Sequence, residues 1–305
     1  MAREYSIYDV FTDQKLAGNP LAVIFDGEGL TAEAMQAIAG EIKLSETVFV
    51  QKAENTAYTA RIRIFTPARE LPFAGHPTVG TAIALAERNH ADAGGSLDQV
   101  SVLEENIGPV RCAVRLRPGE ASFAEFDLPR KPVKMDYILE KGGIANALSL
   151  KAGEVGFENH LPSVWSAGVP FLVVPVHNLR SVESLEFDPQ MWERVAPYAD
   201  GALSSAYVYC RGGIHHRARF HARMFGSGMG IAEDPATGAA VAALAGAIQH
   251  FDALPDGHHP MIVEQGVEMG RPSFIHLHID SKDDEIVKAR IGGQAVRVAS
   301  GVLDL

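Results

Sequence analysis

Three ionisable residues stand where their side chains could exchange protons with a ligand. Asp234 directly precedes Pro235, at the start of a long apolar segment. His76 stands in the same relation to Pro77, and Glu46 begins a strand-like apolar segment. Carboxylates and imidazoles can act as general acids and bases. Each also has a structural interpretation, since Asp is a favoured helix N-cap and Glu at a strand end is commonly solvated. Histidine caps helices poorly, so His76 is the hardest of the three to explain structurally.

Other polar residues give weaker indications. Arg61 and Arg63 share one strand face and could hold a carboxylate, although a solvated sheet face explains them better. Glu70 and Glu233 are predicted to be surface carboxylates of loops. Paired histidines without helical spacing or clustered carboxylates predict no metal site; the pairs are His215-His216, His258-His259 and His276-x-His278. Without a Gly-x-Gly-x-x-Gly motif or a P-loop, the sequence predicts no nucleotide cofactor.

The elements that must position these residues are mostly strands. Four helices are predicted, over Ala32–Lys43, Pro77–Arg88, Asp188–Tyr198 and Pro235–Gln249. Because strands and helices do not alternate strictly, an α+β class is favoured over a doubly wound sheet. Residues 77–85 and 235–247 carry no charge, and a helix that is apolar on every side must be enclosed. The pattern predicts a barrel-like sheet around a central apolar helix in each half.

The two halves share an internal repeat. Gly18-Asn19-Pro20 is echoed 150 residues later by Gly168-Val169-Pro170, and Pro77 is echoed 158 residues later by Pro235. Repeats of this size indicate duplicated domains. We predict two similar domains, residues 1–128 and 129–305, with the last strand able to pack back on the first domain. Ligands favour clefts between domains, so both helix N-termini are expected to face one cleft and offer N–H groups to a carboxylate.

Composition limits the partners and the compartment. The 305-residue chain has a net charge of −11 and no basic block, which argues against nucleic acid and anionic membranes as partners. Residues 1–12 contain acids and no apolar core, so no signal peptide is predicted, and the protein is expected to be cytoplasmic. Cys112 and Cys210 lie in separate apolar segments and are predicted to be buried thiols.

Several motifs together resemble the phenazine-biosynthesis (PhzF-like) isomerase family. The resemblance extends from near the start of the chain to about Ser273. Its motifs are Ala17-Gly18-Asn19-Pro20-Leu21-Ala22-Val23, Ser45-Glu46-Thr47-Val48-Phe49, Gly75-His76-Pro77-Thr78, Glu233-Asp234-Pro235-Ala236-Thr237-Gly238, Glu264-Gln265-Gly266 and Gly270-Arg271-Pro272-Ser273. The resemblance implies a diaminopimelate-epimerase-like fold, no cofactor, and a homodimer.

The resemblance also implies roles for individual residues. Glu46 would take and return a proton, with His76 and Asp234 as polar catalytic partners. The substrate carboxylate would be bound near the two helix N-termini, by the residues Gly75, Thr237, Gly238 and Ala239. Members of the family commonly have Ser where this chain has Ala239, which changes ligand recognition rather than the acid/base. The related epimerases use a pair of cysteines, which this chain lacks at both helix N-termini.

The predicted activity is that of a cofactor-independent isomerase or epimerase. It would move a proton on a small carboxylic acid, as the founding family activity does on a dihydro-hydroxyanthranilate. Two alternatives remain open. One is a non-catalytic carboxylate-binding or regulatory protein, and the other is a lyase that begins with the same proton abstraction.

Overall fold

The chain forms two compact units. The computed structural model describes residues 2–91, 94–199, 201–226 and 231–304. The first unit comprises Met1–Pro129 together with Ile291–Leu305, and the second comprises Arg130–Arg290. Both ends of the chain therefore belong to the first unit, because the long final strand continues out of the second unit into the first.

The elements follow one another in a strand-rich order. The first unit contains β1 (Ala2–Val10), β2 (Asn19–Ile24), α1 (Ala32–Ile42), β3 (Glu46–Gln51), β4 (Ala60–Phe65), β5 (Glu70–Leu71), α2 (Gly75–His90), β6 (Leu97–Glu105), β7 (Gly108–Leu116) and β8 (Ser122–Asp127). The second contains β9 (Val133–Met135), α3 (Lys141–Ala147), a 3-10 turn (Ala152–Glu154), β10 (Ser163–Ser166), β11 (Pro170–Pro175), α4 (Leu179–Ser184), α5 (Pro189–Val195), β12 (Tyr198–Ala199), β13 (Ala202–Leu203), β14 (Ser205–Arg211), β15 (Phe220–Gly226), β16 (Ile231–Asp234), α6 (Gly238–Asp252), β17 (Gly257–Gln265) and β18 (Ser273–Lys282). Strand β19 (Glu285–Asp304) joins the two units.

The strands of the first unit close into an eight-stranded barrel. β1 pairs with β2, β2 runs parallel to β3, and β3 pairs antiparallel with β4. β4 runs parallel to β6, which leads through β7 and β8 to β19. Antiparallel pairing of β19 with β1 closes the ring.

The second unit repeats this sequence of pairings. β10 and β11 are antiparallel, β11 and β14 are parallel, and β14 and β15 are antiparallel, as for β1 to β4. β15 then runs parallel to β17, which pairs antiparallel with β18. The predicted α+β fold of two similar domains is therefore confirmed.

One apolar helix lies at the core of each unit. Residues 75–86 of α2 are all buried, and so are most residues of α6. Small residues make this enclosure feasible, since a Cβ on Gly80 would lie 2.6 Å from Leu21 Cδ2 of the barrel wall. Among the described residues no helix is long and apolar enough to cross a membrane.

Both core helices begin at positions that differ from the prediction. α2 starts at Gly75 with Ala74 as N-cap, so His76 and Pro77 lie inside its first turn. α6 starts at Gly238 with Thr237 as N-cap. The interpretation of Asp234 as a helix cap is therefore wrong. A residue before proline favours extended backbone, and Asp234 accordingly ends strand β16.

The two cysteines are buried thiols, as predicted. Cys112 lies in β7 and Cys210 in β14, and neither forms a disulfide. Burial raises the pKa of Cys112 well above its usual value and that of Cys210 to about 12. Thiols in this state are poor nucleophiles and poor bases at neutral pH.

Candidate active site

Glu46, His76 and Asn19 form a buried polar cluster in the first unit. Asn19 and Glu46 are the first residues of the parallel neighbours β2 and β3, so their side chains start from the same edge of the sheet. His76 comes from the first turn of α2. His76 Nε2 is 3.2 Å from Glu46 Oε2, and His76 Nδ1 is 3.3 Å from Asn19 Nδ2. The side chains of Glu46 and His76 are 11% and 4% exposed, so the carboxylate and imidazole meet almost without bulk water.

The surroundings of His76 determine its charge and tautomer. Burial lowers the pKa of His76 to about 3, so the imidazole is neutral at physiological pH. The amide nitrogen of Asn19 can only donate, so Nδ1 accepts and the ring proton lies on Nε2. Nε2–H then lies beside the Glu46 carboxylate, although among the described residues neither Nε2 nor Glu46 Oε2 makes a hydrogen bond. The carboxylate thus has a neutral polar neighbour, not a cation, at this position.

The first turn of α2 offers backbone donors beside this cluster. The N-cap Ala74 has no side-chain oxygen to bond the first-turn amides. At a helix N-terminus these N–H groups point out of the helix, where its dipole favours an anion. Pro77 has no N–H, so the donors of this turn begin with Gly75 and His76. The predicted binding residue Gly75 thus lies one residue from the imidazole.

The second unit holds the other predicted site residues. Asp234 is buried, and its Oδ2 accepts a 2.5 Å hydrogen bond from Thr237 Oγ1. The Thr237 hydroxyl is engaged there rather than capping α6, which has no side-chain cap. Gly238 and Ala239 supply the first amides of α6. Asp234 and Thr237 therefore form one short, rigid turn ahead of α6.

Gln265 fixes the conformation of this turn, and sequence reasoning assigned it no role. Its Nε2 donates to the Asp234 carbonyl at 2.7 Å and to Thr237 Oγ1 at 3.1 Å. Its Oε1 accepts from the Thr237 amide at 3.3 Å and from Tyr207 at 3.2 Å. Gln265 is fully buried, so four hydrogen bonds hold a side chain that water cannot reach. The available signal was the motif Glu264-Gln265-Gly266.

A buried charged triad lies next to Gln265 along the chain. His221 Nδ1 is 2.7 Å from Glu264, and its Nε2 is 2.8 Å from Glu268. Burial opposes the charge of His221, but the two carboxylates outweigh it and raise its pKa to about 9. Glu264 also accepts the backbone amides of Ile214 and His215 at 2.8 Å. The protonated His221 of β15 therefore bridges Glu264 and Glu268, the two ends of the 264–268 segment.

The arginines considered for carboxylate binding are already paired, and Arg61 Nη1 lies 3.1 Å from Glu54 Oε1. Arg63 donates to both oxygens of Glu70, at 2.8 and 2.7 Å. In the second unit Arg223 donates to both oxygens of Glu233, at 2.8 and 3.0 Å. Both ion pairs link a barrel strand to the short strand before a core helix. Glu70 and Glu233, predicted to be surface loop carboxylates, therefore hold these hairpins together.

Among the described residues, one cluster has the composition of a metal site, but an arginine side chain donates hydrogen bonds to its two carboxylates. Glu158, His160 and Asp252 place one ligand atom each within 4.8 Å of the others. Arg211 donates to Glu158 and to Asp252 at 2.7 Å. Because the guanidinium supplies the positive charge, we assign this group to stabilising the second unit.

Comparison with known proteins identifies the family. The family described as "Phenazine biosynthesis-like protein" matches residues 8–301. The chain belongs to this family. An uncharacterised isomerase of Mesorhizobium japonicum is 53% identical over 302 residues, which cover 99% of this chain and 98% of the relative. A trans-2,3-dihydro-3-hydroxyanthranilate isomerase of Pseudomonas chlororaphis is 33% identical over 304 residues, covering 99% of each. The predicted assignment as an isomerase is confirmed at the level of the family.

Solved structures share the whole fold. A Bacillus anthracis phenazine biosynthesis protein of the PhzF family superposes with a TM-score of 0.87 at 26% identity, covering 100% of both chains. A hydroxyproline epimerase of Agrobacterium vitis has a TM-score of 0.61 at 10% identity and covers 99% of this chain and 92% of its own. The second likeness concerns the fold alone, and it agrees with the predicted epimerase-like architecture.

Proposed function

We propose that the protein isomerises a small carboxylic acid by general acid/base catalysis without a cofactor. The observation that carries the proposal is the 3.2 Å contact between Glu46 Oε2 and His76 Nε2, in which a buried carboxylate lies against a neutral imidazole. A base that must also act as an acid needs a fixed position and little competition from water, and both are supported by the burial of this pair.

Glu46 carries the proton in this scheme. Its carboxylate takes a proton from a C–H bond of the substrate, and the electron pair of that bond shifts into the adjacent π system. The resulting carboxylic acid then returns the proton to a different carbon, so atoms and charge balance over the cycle. His76 keeps its Nε2–H throughout and acts as a neutral polar neighbour of Glu46, since its pKa of about 3 makes it a weak base.

The substrate carboxylate binds to backbone amides at the helix N-termini. Gly75 and Gly238 begin α2 and α6, and neither N-cap side chain competes for the first-turn donors. Such termini favour anions through their N–H groups and dipoles. Thr237 and Ala239 flank Gly238 and complete the second subsite. Binding here leaves the C–H bond to be positioned against Glu46, and positioning can supply much of the lowering of the barrier.

Asp234 is the polar partner contributed by the second domain. Asp234 accepts a hydrogen bond from the Thr237 hydroxyl, and Thr237 directly precedes Gly238. A charge on Asp234 would therefore act on the proposed subsite at Gly238 through Thr237. Ala239, where the family commonly has Ser, offers a methyl group in place of a hydroxyl. We expect this chain therefore to bind a substrate with one fewer hydrogen-bonding group at that position.

Proton NMR in deuterated water tests the proposal. Wild-type protein is incubated with trans-2,3-dihydro-3-hydroxyanthranilate, the substrate named for the Pseudomonas relative, and with a panel of cyclic amino and hydroxy acids. The proposal predicts deuterium incorporation at carbon, or a shifted double bond, in at least one acid of the panel. Tight binding of an acid by calorimetry with no exchange at its carbons would instead establish a non-catalytic binding protein. A product that has lost water or another leaving group would establish a lyase.

A further inference from the structure

Two histidines face each other across neighbouring strands of the second unit. His258 lies near the start of β17, and His278 lies in its antiparallel neighbour β18. His258 Nε2 and His278 Nδ1 are 3.2 Å apart. The ring centroids are 5.2 Å apart, so the two rings approach each other through these nitrogens. Both side chains reach the surface of the hairpin, where an ion from solution can enter.

A carboxylate fixes the orientation of the first ring. His258 Nδ1 lies 2.5 Å from Asp280 Oδ1, and Asp280 is directly opposite His258 in the strand register. A carboxylate accepts, so Nδ1 carries the proton and Nε2 presents a lone pair towards His278. Metal-binding histidines in proteins are usually held by a carboxylate, a backbone carbonyl or water on the ring nitrogen that does not bind the metal, and here a carboxylate takes that position.

We propose that His258 and His278 bind one divalent transition-metal ion, represented by Zn²⁺, with Asp280 as the positioning residue. Two nitrogens at 2.0–2.1 Å from a tetrahedral zinc are about 3.3 Å apart, close to the spacing of these two nitrogens. Imidazole ligands suit Zn²⁺, Cu²⁺ and Ni²⁺ rather than Mg²⁺ or Ca²⁺. Water completes the coordination, because the hairpin surface is open to solvent.

The strand register explains why chain spacing did not reveal this site. The sequence contains the pairs His258-His259 and His276-x-His278, and neither pair forms it. One member of each pair is used, brought together across β17 and β18. Successive residues of a strand point to opposite faces, so His259 faces away, and its Nε2 lies 2.7 Å from the Pro255 carbonyl.

Calorimetric titration with ZnCl₂ tests the proposal on tag-free, metal-stripped protein. The wild type is expected to bind one ion per chain. His258→Gln and His278→Gln should each weaken binding about tenfold or more, and Asp280→Asn by about tenfold. His259→Gln is the matched control, because it removes a neighbouring imidazole from the other face, and it should leave the affinity within about twofold.

Electron paramagnetic resonance of the Cu²⁺-loaded protein gives an independent measurement. Superhyperfine coupling to two nitrogens is expected for the wild type and for His259→Gln, and to one nitrogen or none for His278→Gln. Equal zinc affinity in all variants, or no binding by the wild type up to about 1 mM Zn²⁺, would overturn the proposal. Neither result bears on the catalytic proposal, since His258 and His278 have no role in it.

Discussion

The neutral state of His76 decides the chemistry available to Glu46. A protonated imidazole would pair with the carboxylate and make it a weaker base. Burial keeps His76 neutral, and Asn19 selects the tautomer whose Nε2–H lies beside Glu46. Asn19 lies in one of the motifs that indicated the family, yet sequence reasoning gave it no role. Its partner His76 is 57 residues away, so only the fold reveals the contact.

Nitrogen-15 NMR of His76 should show a neutral Nε2–H imidazole. With a pKa of about 3, the ring stays unprotonated across the range from about pH 5 to 8, and the pH–rate profile should have no inflection from His76 there. A histidine signal of His76 that titrates near its ordinary pKa would contradict the assignment.

Replacing Asn19 by aspartate should lower turnover while preserving side-chain size. The carboxylate of Asn19→Asp would accept from Nδ1, which leaves either a bare Nε2 facing Glu46 or an imidazolium that weakens Glu46 as a base. We expect kcat to fall on the order of 100-fold, since a misplaced ring proton is costly in catalysis. Asn55→Asp, in an exposed turn, is the control and should retain wild-type kcat.

At the scale of elements, the N-terminus of α6 depends on the segment that follows β17. Gln265 bonds the turn from Asp234 to Thr237, and Gly266 fits directly beneath it. Gly266 has a positive φ of 77°, and a Cβ there would lie 2.5 Å from the Pro235 carbonyl oxygen. Both residues serve the same task, since they fix the backbone that presents Gly238 and Asp234.

Gly266→Ala should destabilise the protein much more than Gly270→Ala. Both glycines have positive φ values, 77° and 69°, so alanine is strained by about 1–2 kcal/mol at either position. Only at Gly266 does the added methyl meet backbone atoms, whereas nothing lies within 4 Å at Gly270. Urea denaturation is expected to give a loss larger by about 2 kcal/mol or more for Gly266→Ala. Equal losses would show that the contact with Pro235 is unimportant.

The charged triad of His221 should make stability fall at alkaline pH. The folded-state pKa of about 9 lies above the ordinary value of 6.5, so the stabilisation is complete below about pH 6.5 and is lost as the pH rises through about 9. Chemical denaturation at several pH values should show this decline in the wild type. The part of the decline that comes from His221 should be absent in His221→Gln, which should also lose about 3–5 kcal/mol at neutral pH. His259→Gln is the surface control and should retain the wild-type profile.

At the scale of the whole molecule, the sequence predicted the duplicated fold well. The echo of Gly18 by Gly168 and of Pro77 by Pro235 corresponds to matching strand pairings in the two units. The matched ion pairs Arg63–Glu70 and Arg223–Glu233 extend the repeat to side chains. Charge-free helices were a reliable signal, because only enclosure makes such segments favourable.

Other parts of the fold could not be predicted from local pattern. β17 begins with Gly257, two histidines and Pro260, which do not indicate a strand. The helix starts were misplaced because Pro77 and Pro235 were both assumed to occupy the first helical position. Gln265 and Asn19 act through contacts between distant residues, which spacing along the chain does not encode.

The most direct test of the account compares Glu46→Gln with the wild type and with Glu120→Gln, a surface control in an exposed turn. For an acid that the wild type deuterates in heavy water, we measure both the rate of exchange at carbon and the affinity by calorimetry. We expect Glu46→Gln to lose exchange by about 10²–10⁴-fold while binding the acid within about threefold of the wild type, with Glu120→Gln unchanged in both. Exchange by Glu46→Gln at the wild-type rate would contradict the role of Glu46 as the acid/base.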